Sequence, residues 1–286
     1  MSTHALRSTA RMRPGRWLAR GVVCVVLMLA ALSVLVPLIW IVLTSLKSLP
    51  ETYAWPPKWL PAVPQWKNYV MILRKALFGR YYLNSVMVAV LATAGNMFFT
   101  SLGGYALAKF EFRGRNFMYL LVVATMMIPT QVTIVPSYVV LRTLKLTNTL
   151  QGLILPLLTT GFTLFLMRQF CLGIPDDLLD SGRVDGASEF QIYGKIVLPE
   201  LGPALASVAI FSFMTAWNDF MWPLIVVDSP KLRTVPLGLA MLKSEQIAQW
   251  HLLMAGTVYS IVPVLIVFAL MQRQFIQGIT LTGIKG

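Results

Sequence analysis

The stretch that organises this chain is its longest polar interruption, residues 174–199, which reads IPDDLLDSGRVDGASEFQIYGKIVLP. Five of the eleven acidic residues lie in it, although apolar runs flank it on both sides. Pro175 followed by two aspartates suits a helix N-terminus, and Gly186 suits a helix stop. Ser188 with Gln191 predicts a capping box that opens a second helix. We therefore predict two short helices joined by a bend.

The two predicted helices differ in the side chains on their surfaces. Phe190, Tyr193 and Val197 share one face at helical spacing on the second helix, which Leu198-Pro199 is expected to end. On the first helix, Ser181-Gly182 leaves a low surface that another protein could approach closely. The alternative is a solvated loop that only links two membrane helices, and the local pattern does not separate the two interpretations.

The same stretch resembles the EAA motif of ABC importer permeases, which reads Glu-Ala-Ala, three residues, Gly, nine residues, Ile, one residue, Leu-Pro. The last four positions match, and Asp180-Ser181-Gly182 replaces Glu-Ala-Ala. Gly182 lowers helix propensity there by about 1 kcal/mol. The resemblance implies that residues 176–194 dock on a separate ATPase subunit. The stretch 171–200 that contains them is called the coupling loop below. The implied contact residues are Asp177, Asp180, Ser181, Gly182, Asp185, Gly186, Ala187, Phe190, Ile196, Leu198 and Pro199.

The composition places the chain in a membrane. It has 286 residues, of which 57% are hydrophobic and 12% charged, whereas a soluble domain carries about 25% charged residues. We predict an all-α polytopic membrane protein, since the alternating segments of a β-barrel are absent. The net charge of +13 lies in the N-terminal tail and the loops. There it orients the protein and meets anionic lipid, so no nucleic-acid partner is predicted.

Six apolar runs can each span a bilayer, which needs about 20 residues. A proline inside or near these runs is expected to produce a tolerated kink. The predicted organisation is a basic tail (1–20), a six-helix permease domain (21–276) with an external loop (47–80), and a C-terminal tail (277–286). The predicted spans are Gly21–Leu46, Tyr81–Ala108, Asn116–Leu141, Leu146–Met167, Leu201–Val227 and Leu252–Gln272.

The orientation follows from the ends of the chain. The tail carries five arginines and no acid, which predicts a cytoplasmic N-terminus. Six spans then place the C-terminus and the coupling loop in the cytoplasm as well. A cleaved signal peptide is the alternative for the first run, but 21–46 is longer than an ordinary signal-peptide core.

The external loop 47–80 is rich in proline and tryptophan, so a continuous helix is excluded there. Its tryptophans, Trp55, Trp59 and Trp66, are typical interfacial anchors. The alternative is a docking surface for an extracytoplasmic partner.

The sequence contains no catalytic set, no phosphate-binding G-x-x-x-x-G-K-[ST] loop and no metal-ligand spacing. If ATP drives this protein, ATP and Mg bind on another chain. The polar residues inside the predicted spans are candidates for lining a pathway, namely Trp217, Asn218, Asp219 and Asn84. For Asp219 the alternative is solvation near the outer interface, and for Asn84 it is helix packing.

A second resemblance covers most of the chain. Residues 216–224 are similar to the fifth-helix motif of carbohydrate importer permeases, and 277–286 to the tail of MalG-like subunits. The resemblance implies the type I importer architecture in a bacterial inner membrane, with a second homologous permease, two ATPase subunits and an external solute-binding protein. It also implies that the tail contacts the ATPase, through Thr282, Gly283 and Lys285. Importers of another solute, such as glycerol phosphate, and an ion-coupled carrier remain alternatives.

Overall fold

The computed structural model describes residues 14–243 and 249–283, and every regular element in these ranges is helical. Short 3₁₀ turns at 75–77, 155–157 and 230–232 and a π-helical segment at 193–197 connect some of them. The α-helices are α1 (Pro14–Ser45), α2 (Leu49–Thr52), α3 (Lys67–Arg74), α4 (Phe78–Lys109), α5 (Arg115–Met126), α6 (Thr130–Thr143), α7 (Leu150–Ile154), α8 (Gly161–Leu172), α9 (Asp176–Val184), α10 (Glu189–Ile192), α11 (Leu198–Glu200), α12 (Gly202–Asn218), α13 (Met221–Val226), α14 (Val235–Lys243) and α15 (Trp250–Gly283).

The helices long and apolar enough to cross a membrane alone are 20–45, 78–109 and 250–272. Three further candidates are helix pairs with a bend between them: α5 with α6, α7 with α8, and 189–200 with α12. Counting each bent pair as one span gives the six spans that the sequence predicts. The described part of the chain therefore has the expected all-α membrane architecture.

The breaks are sharper than the tolerated kinks that the sequence suggested. Between α5 and α6 the axis turns by 109°, because Pro129 has no N–H to continue the helix and disfavours helical geometry at the residue before it. Between α7 and α8 the turn is 44°, and the Thr160 hydroxyl caps the new helix by accepting from Thr163 N.

The fifth predicted span also differs in its limits. The helix does not end at Leu198-Pro199 but continues to Glu200, and the 77° bend follows at Leu201. Pro203 in the first turn of α12 is compatible with a new helix start, because the first N–H groups of a helix have no partner within it. At the other end, α12 stops at Asn218 and α13 is a separate helix.

Helix α4 is central to the packing, with α8 and α12 against it. Near the coupling loop, residues of α4, α8 and α12 form one core cluster with Leu179, Ile192 and Val197 of the loop. Further along, Ala89 and Ala92 of α4 meet Phe213 and other residues of α12. By contrast, α1 packs on α15 and exposes its apolar side chains from 20 to 38, a surface suited to lipid.

The predicted external loop, residues 47–80, is held by polar contacts at its start. Glu51 accepts hydrogen bonds from the backbone N–H groups of Ser48 (2.7 Å) and Ala62 (2.8 Å), which lower its pKa to about 2. The Lys47 ammonium lies 4.2 Å from the centroid of the Trp40 ring. Residues 53–66 are not helical, as their prolines predict, and all three tryptophans of this loop are exposed.

Candidate functional site

The coupling loop folds locally as its sequence predicts. Helix α9 begins after Pro175, with Asp176 and Asp177 in its first turn. The bend is made at Gly186, whose φ of 79° favours glycine. Ser188 N donates to Gln191 Oε1 (2.8 Å) and Gln191 N donates to Ser188 Oγ (3.4 Å), which confirms the capping box.

Gly182 lies on the inner side of α9, in contrast to the expected open surface. A Cβ on this residue would lie 2.9 Å from Ile196 Cδ1 and 3.3 Å from Ile192 Cγ1. Its small size therefore lets α9 pack on the following helical segment of the same loop. Ser181 is exposed, and its hydroxyl donates to Leu178 O within the helix.

The second helix does not present one shared aromatic face. Val197 is fully buried and Tyr193 is half-buried, but 83% of Phe190 is exposed. The fully buried Ile192 follows Phe190 by two residues, so the two side chains lie on opposite sides of α10. The wider turn of the π-helical segment 193–197 then shifts the register of the residues that follow.

The two most exposed large apolar side chains of the loop are Val184, with 86% of its surface exposed, and Phe190. Neighbouring acidic residues Asp180 and Asp185 are exposed as well. Apolar surface rimmed by polar groups marks interaction sites. Sequence reasoning missed Val184, although helical spacing from the inward Leu179 places it on the polar side of α9.

An ion-pair network orders the exposed side of the loop. Arg183 donates to Asp180 Oδ1 (2.7 Å) and to Glu189 Oε1 (2.8 Å). The hydrogen bond from Arg183 lowers the pKa of Glu189. These groups are partly exposed, so their effect on stability is small and their main effect is to fix geometry.

The remaining predicted contact residues of the loop are either half-buried or exposed. Ala187 and Ile196 are half-buried against the core cluster. Asp177 is exposed, as is Pro199, whereas Leu198 is half-buried.

The four pathway candidates divide into two pairs. Trp217 is 1% exposed, and its Nε1 donates to Ser260 O (3.0 Å). Asn84 is 2% exposed, and its amide donates to the backbone carbonyls of Lys231 (2.9 Å) and Arg233 (3.0 Å). Both side chains therefore face the interior of this chain, and their pathway role stays a prediction.

The other two candidates lie where α12 ends. Asn218 is exposed and donates to Met214 O (2.9 Å). Asp219 is half-buried, and its Oδ1 accepts from Trp222 N (3.2 Å). The carboxylate thereby contacts the first turn of α13.

The tail residues Thr282 and Gly283 lie in the last turn of α15, and Lys285 lies outside the described residues. Within 14–243 and 249–283, no group of three His, Cys, Asp or Glu residues could hold a metal ion.

Comparison with known proteins finds relatives that are named as permease proteins of transport systems. The chain is 40% identical over 220 residues to the arabinooligosaccharides transport system permease protein AraQ of Halalkalibacterium halodurans, covering 77% of this chain and 79% of that protein. It is 32% identical to the sulfoquinovosyl glycerol transport system permease protein SmoH of Agrobacterium fabrum, covering 88% and 89%. It is 30% identical to the sn-glycerol-3-phosphate transport system permease protein UgpE of Yersinia pestis, covering 89% and 94%.

The fold and the family agree with these relatives. The chain superposes with a TM-score of 0.83 on the crystal structure of a bacterial ABC transporter involved in the import of the acidic polysaccharide alginate, at 24% identity and covering 92% of this chain and 99% of that one. The family model for the binding-protein-dependent transport system inner membrane component matches residues 100–280, which include the whole coupling loop. The chain therefore belongs to this family of ABC transporter permeases.

Proposed function

We propose that this permease imports a sugar or an oligosaccharide and forms half of the translocation pathway, beside a second homologous permease subunit. The relatives named for arabinooligosaccharides and sulfoquinovosyl glycerol support this substrate class. Asn218 and Asp219 offer hydroxyl-binding groups at the end of α12, and we assign the pathway role to them. An external solute-binding protein delivers the solute, and both termini lie in the cytoplasm.

ATP is hydrolysed by two separate ATPase subunits, which hold ATP and Mg, and the coupling loop docks on one of them. The observation that carries this proposal is the exposure of Val184 and Phe190 beside acidic residues, on a loop whose inner side is fully packed. ATP shifts the permease between inward- and outward-facing states through its different affinity for the two states. The tail residues Thr282, Gly283 and Lys285 add contacts to the ATPase.

A second candidate solute is glycerol phosphate, because the relative UgpE is similar over 89% of this chain. Uptake of labelled arabinose oligosaccharides and of labelled glycerol 3-phosphate into cells that express the whole transporter separates the two. An ion-coupled carrier is disfavoured by the family, and it would transport without any ATPase subunit.

The docking proposal is tested by charge substitution on the exposed side of the loop. Val184→Asp and Phe190→Asp should each reduce the ATPase that co-purifies with a tagged permease by about tenfold, as at an interface hot spot. Val63→Asp is the matched control, since Val63 is a similarly exposed residue of the external loop. Native mass spectrometry of the unsubstituted complex should give this chain, a second permease and two ATPase copies. Undiminished ATPase capture by both loop variants would contradict the proposal.

A further inference from the structure

Three polar residues form a stack on one face of α4. Ser101, Tyr105 and Lys109 follow one another at intervals of four residues, so they lie one helical turn apart. Ser101 and Tyr105 are buried, and only 6% of the Lys109 side chain is exposed. Burying polar groups is costly unless each has a partner, which raises the question of what they bind.

Every member of this polar stack binds the coupling loop. The Ser101 hydroxyl lies 2.7 Å from the Tyr193 hydroxyl, and the Tyr105 hydroxyl donates to Glu189 Oε2 (3.1 Å). The Lys109 ammonium donates to Asp176 Oδ1 (2.7 Å). The stack therefore holds the loop at both of its short helices.

Lys109 and Glu189 extend these contacts in two directions. Lys109 also donates to Ile174 O, so it holds the backbone just before α9. Glu189 also accepts from Arg183, which pairs with Asp180 on the exposed side of the loop. A continuous chain of hydrogen bonds thus runs from the proposed docking surface to the interior of α4.

The apolar core cluster also holds the loop against α4. Burial of apolar area is non-directional, however, so it does not select particular partner groups. Hydrogen bonds have narrow distance and angle ranges, and three of them at three heights fix one register. The polar stack is suited to transmitting displacement as well as to stabilising the fold.

The other end of α4 has its own buried polar contacts. Besides the two bonds from Asn84, the Ser85 hydroxyl accepts from Val235 N (2.8 Å). Residues 231–234 lie in the connection between α13 and α14, and Val235 is the first residue of α14. As α4 has 32 residues, it reaches about 48 Å from end to end.

We propose that α4 carries the movement of the coupling loop to the segment 231–235, and that Ser101, Tyr105 and Lys109 are the positioning residues that bind the loop to it. The proposal rests on the proposed docking of the loop on an ATPase. Asn84 and Ser85 hold the far end, so that a displacement at the loop reaches the opposite side of the protein.

The first test measures the loop itself by hydrogen exchange of the full-length chain in its complex. Tyr105→Phe and Lys109→Met together remove three hydrogen bonds to the loop, one from Tyr105 and two from Lys109, without removing bulk. Exchange of the backbone amides of residues 176–197 should rise by about fivefold for each lost hydrogen bond. Thr100→Val is the control, because the buried Thr100 hydroxyl donates to Asn96 O of its own helix and not to the loop, among the described residues. Equal exchange in the double variant and in the control would overturn the proposal.

The second test measures transmission to the far end. Lys231 is replaced by cysteine in a chain with Cys24→Ala, which leaves only the buried Cys171. The rate of labelling at 231 by an impermeant maleimide is compared with and without ATP and magnesium. We expect ATP to change this rate several-fold in the starting complex and in Thr100→Val. The change should be lost in the Tyr105→Phe, Lys109→Met variant and retained in Lys109→Arg.

The amount of co-purified ATPase separates the two proposals. If the double variant keeps the starting amount of ATPase but its labelling rate at position 231 no longer responds to ATP, the positioning role is supported. An unchanged ATP response in that variant, or no response in the starting complex, overturns it while the docking stands. Absence of ATPase from the starting complex would instead refute the docking.

Discussion

The two glycines of the coupling loop have different physical tasks. Gly186 supplies the positive φ of the bend, where a side chain meets no neighbour but the backbone is strained. Gly182 lies inside α9 and supplies space for Ile192 and Ile196. Its low helix propensity does not interrupt α9, which continues to Val184. Packing of the loop on its own core outweighs a local preference of about 1 kcal/mol.

Gly182→Val should therefore destabilise the loop. The added methyl groups crowd Ile192 and Ile196, and overpacking of this kind typically costs about 1–3 kcal/mol. Gly194→Val is the matched control, since nothing lies within 4 Å of a Cβ there. Hydrogen exchange of residues 176–197 measures the free energy of local opening in both variants. Equal opening in the two variants would show that Gly182 is not a packing position.

At the scale of the element, the contact between α4 and α8 shows how closely two helix backbones approach. A Cβ on Gly104 would lie 2.9 Å from the backbone N of Arg168 in α8, so the two helix backbones are nearly in contact. A Cβ on Gly103 would meet only the end of a flexible side chain, Leu164 Cδ1, at 2.9 Å. Small residues of this kind allow close packing of membrane helices.

Gly104→Ala and Gly103→Ala make a matched pair for this contact. Gly104→Ala should push α8 away from α4 and lower the thermal unfolding temperature of the purified protein, because backbone atoms cannot move aside. Gly103→Ala should have a small effect, since Leu164 can change its rotamer. The comparison is made by thermal unfolding in one detergent. An equal decrease in both variants would contradict the assigned α4–α8 contact.

At the scale of the whole molecule, the helix breaks and the orientation of the chain in the membrane decide which segments lie on each side of the membrane. The coupling loop and the segment 231–235 lie at opposite ends of α4. The six-span arrangement therefore predicts that position 60 is external and position 185 is cytoplasmic.

Single cysteines at Leu60 and Asp185 test this topology in a chain with Cys24→Ala. An impermeant maleimide added to intact spheroplasts should label position 60 and not position 185. Both positions should react after the membrane is opened, which serves as the control for accessibility. Labelling of position 185 in intact spheroplasts would refute the proposed orientation.

The sequence by itself determined the local and compositional features. Apolar runs specified six membrane-length segments, because only a sufficiently apolar segment is stable in the bilayer core. Pro175, Gly186 and the Ser188–Gln191 pair specified the two short helices, because these signals act between residues close in the chain. The sizes of the bends were not specified, since a proline permits a break and the packing of neighbouring helices sets its angle.

Only the tertiary structure decided which side each polar residue faces. Asn84 and Trp217 looked like pathway residues in the sequence, but their partners at Lys231, Arg233 and Ser260 are far away in the chain. The polar stack of α4 was not identified for the same reason. Its hydrogen bonds join residues 65 to 92 positions apart, and a pattern of local spacing carries no information about contacts at that range.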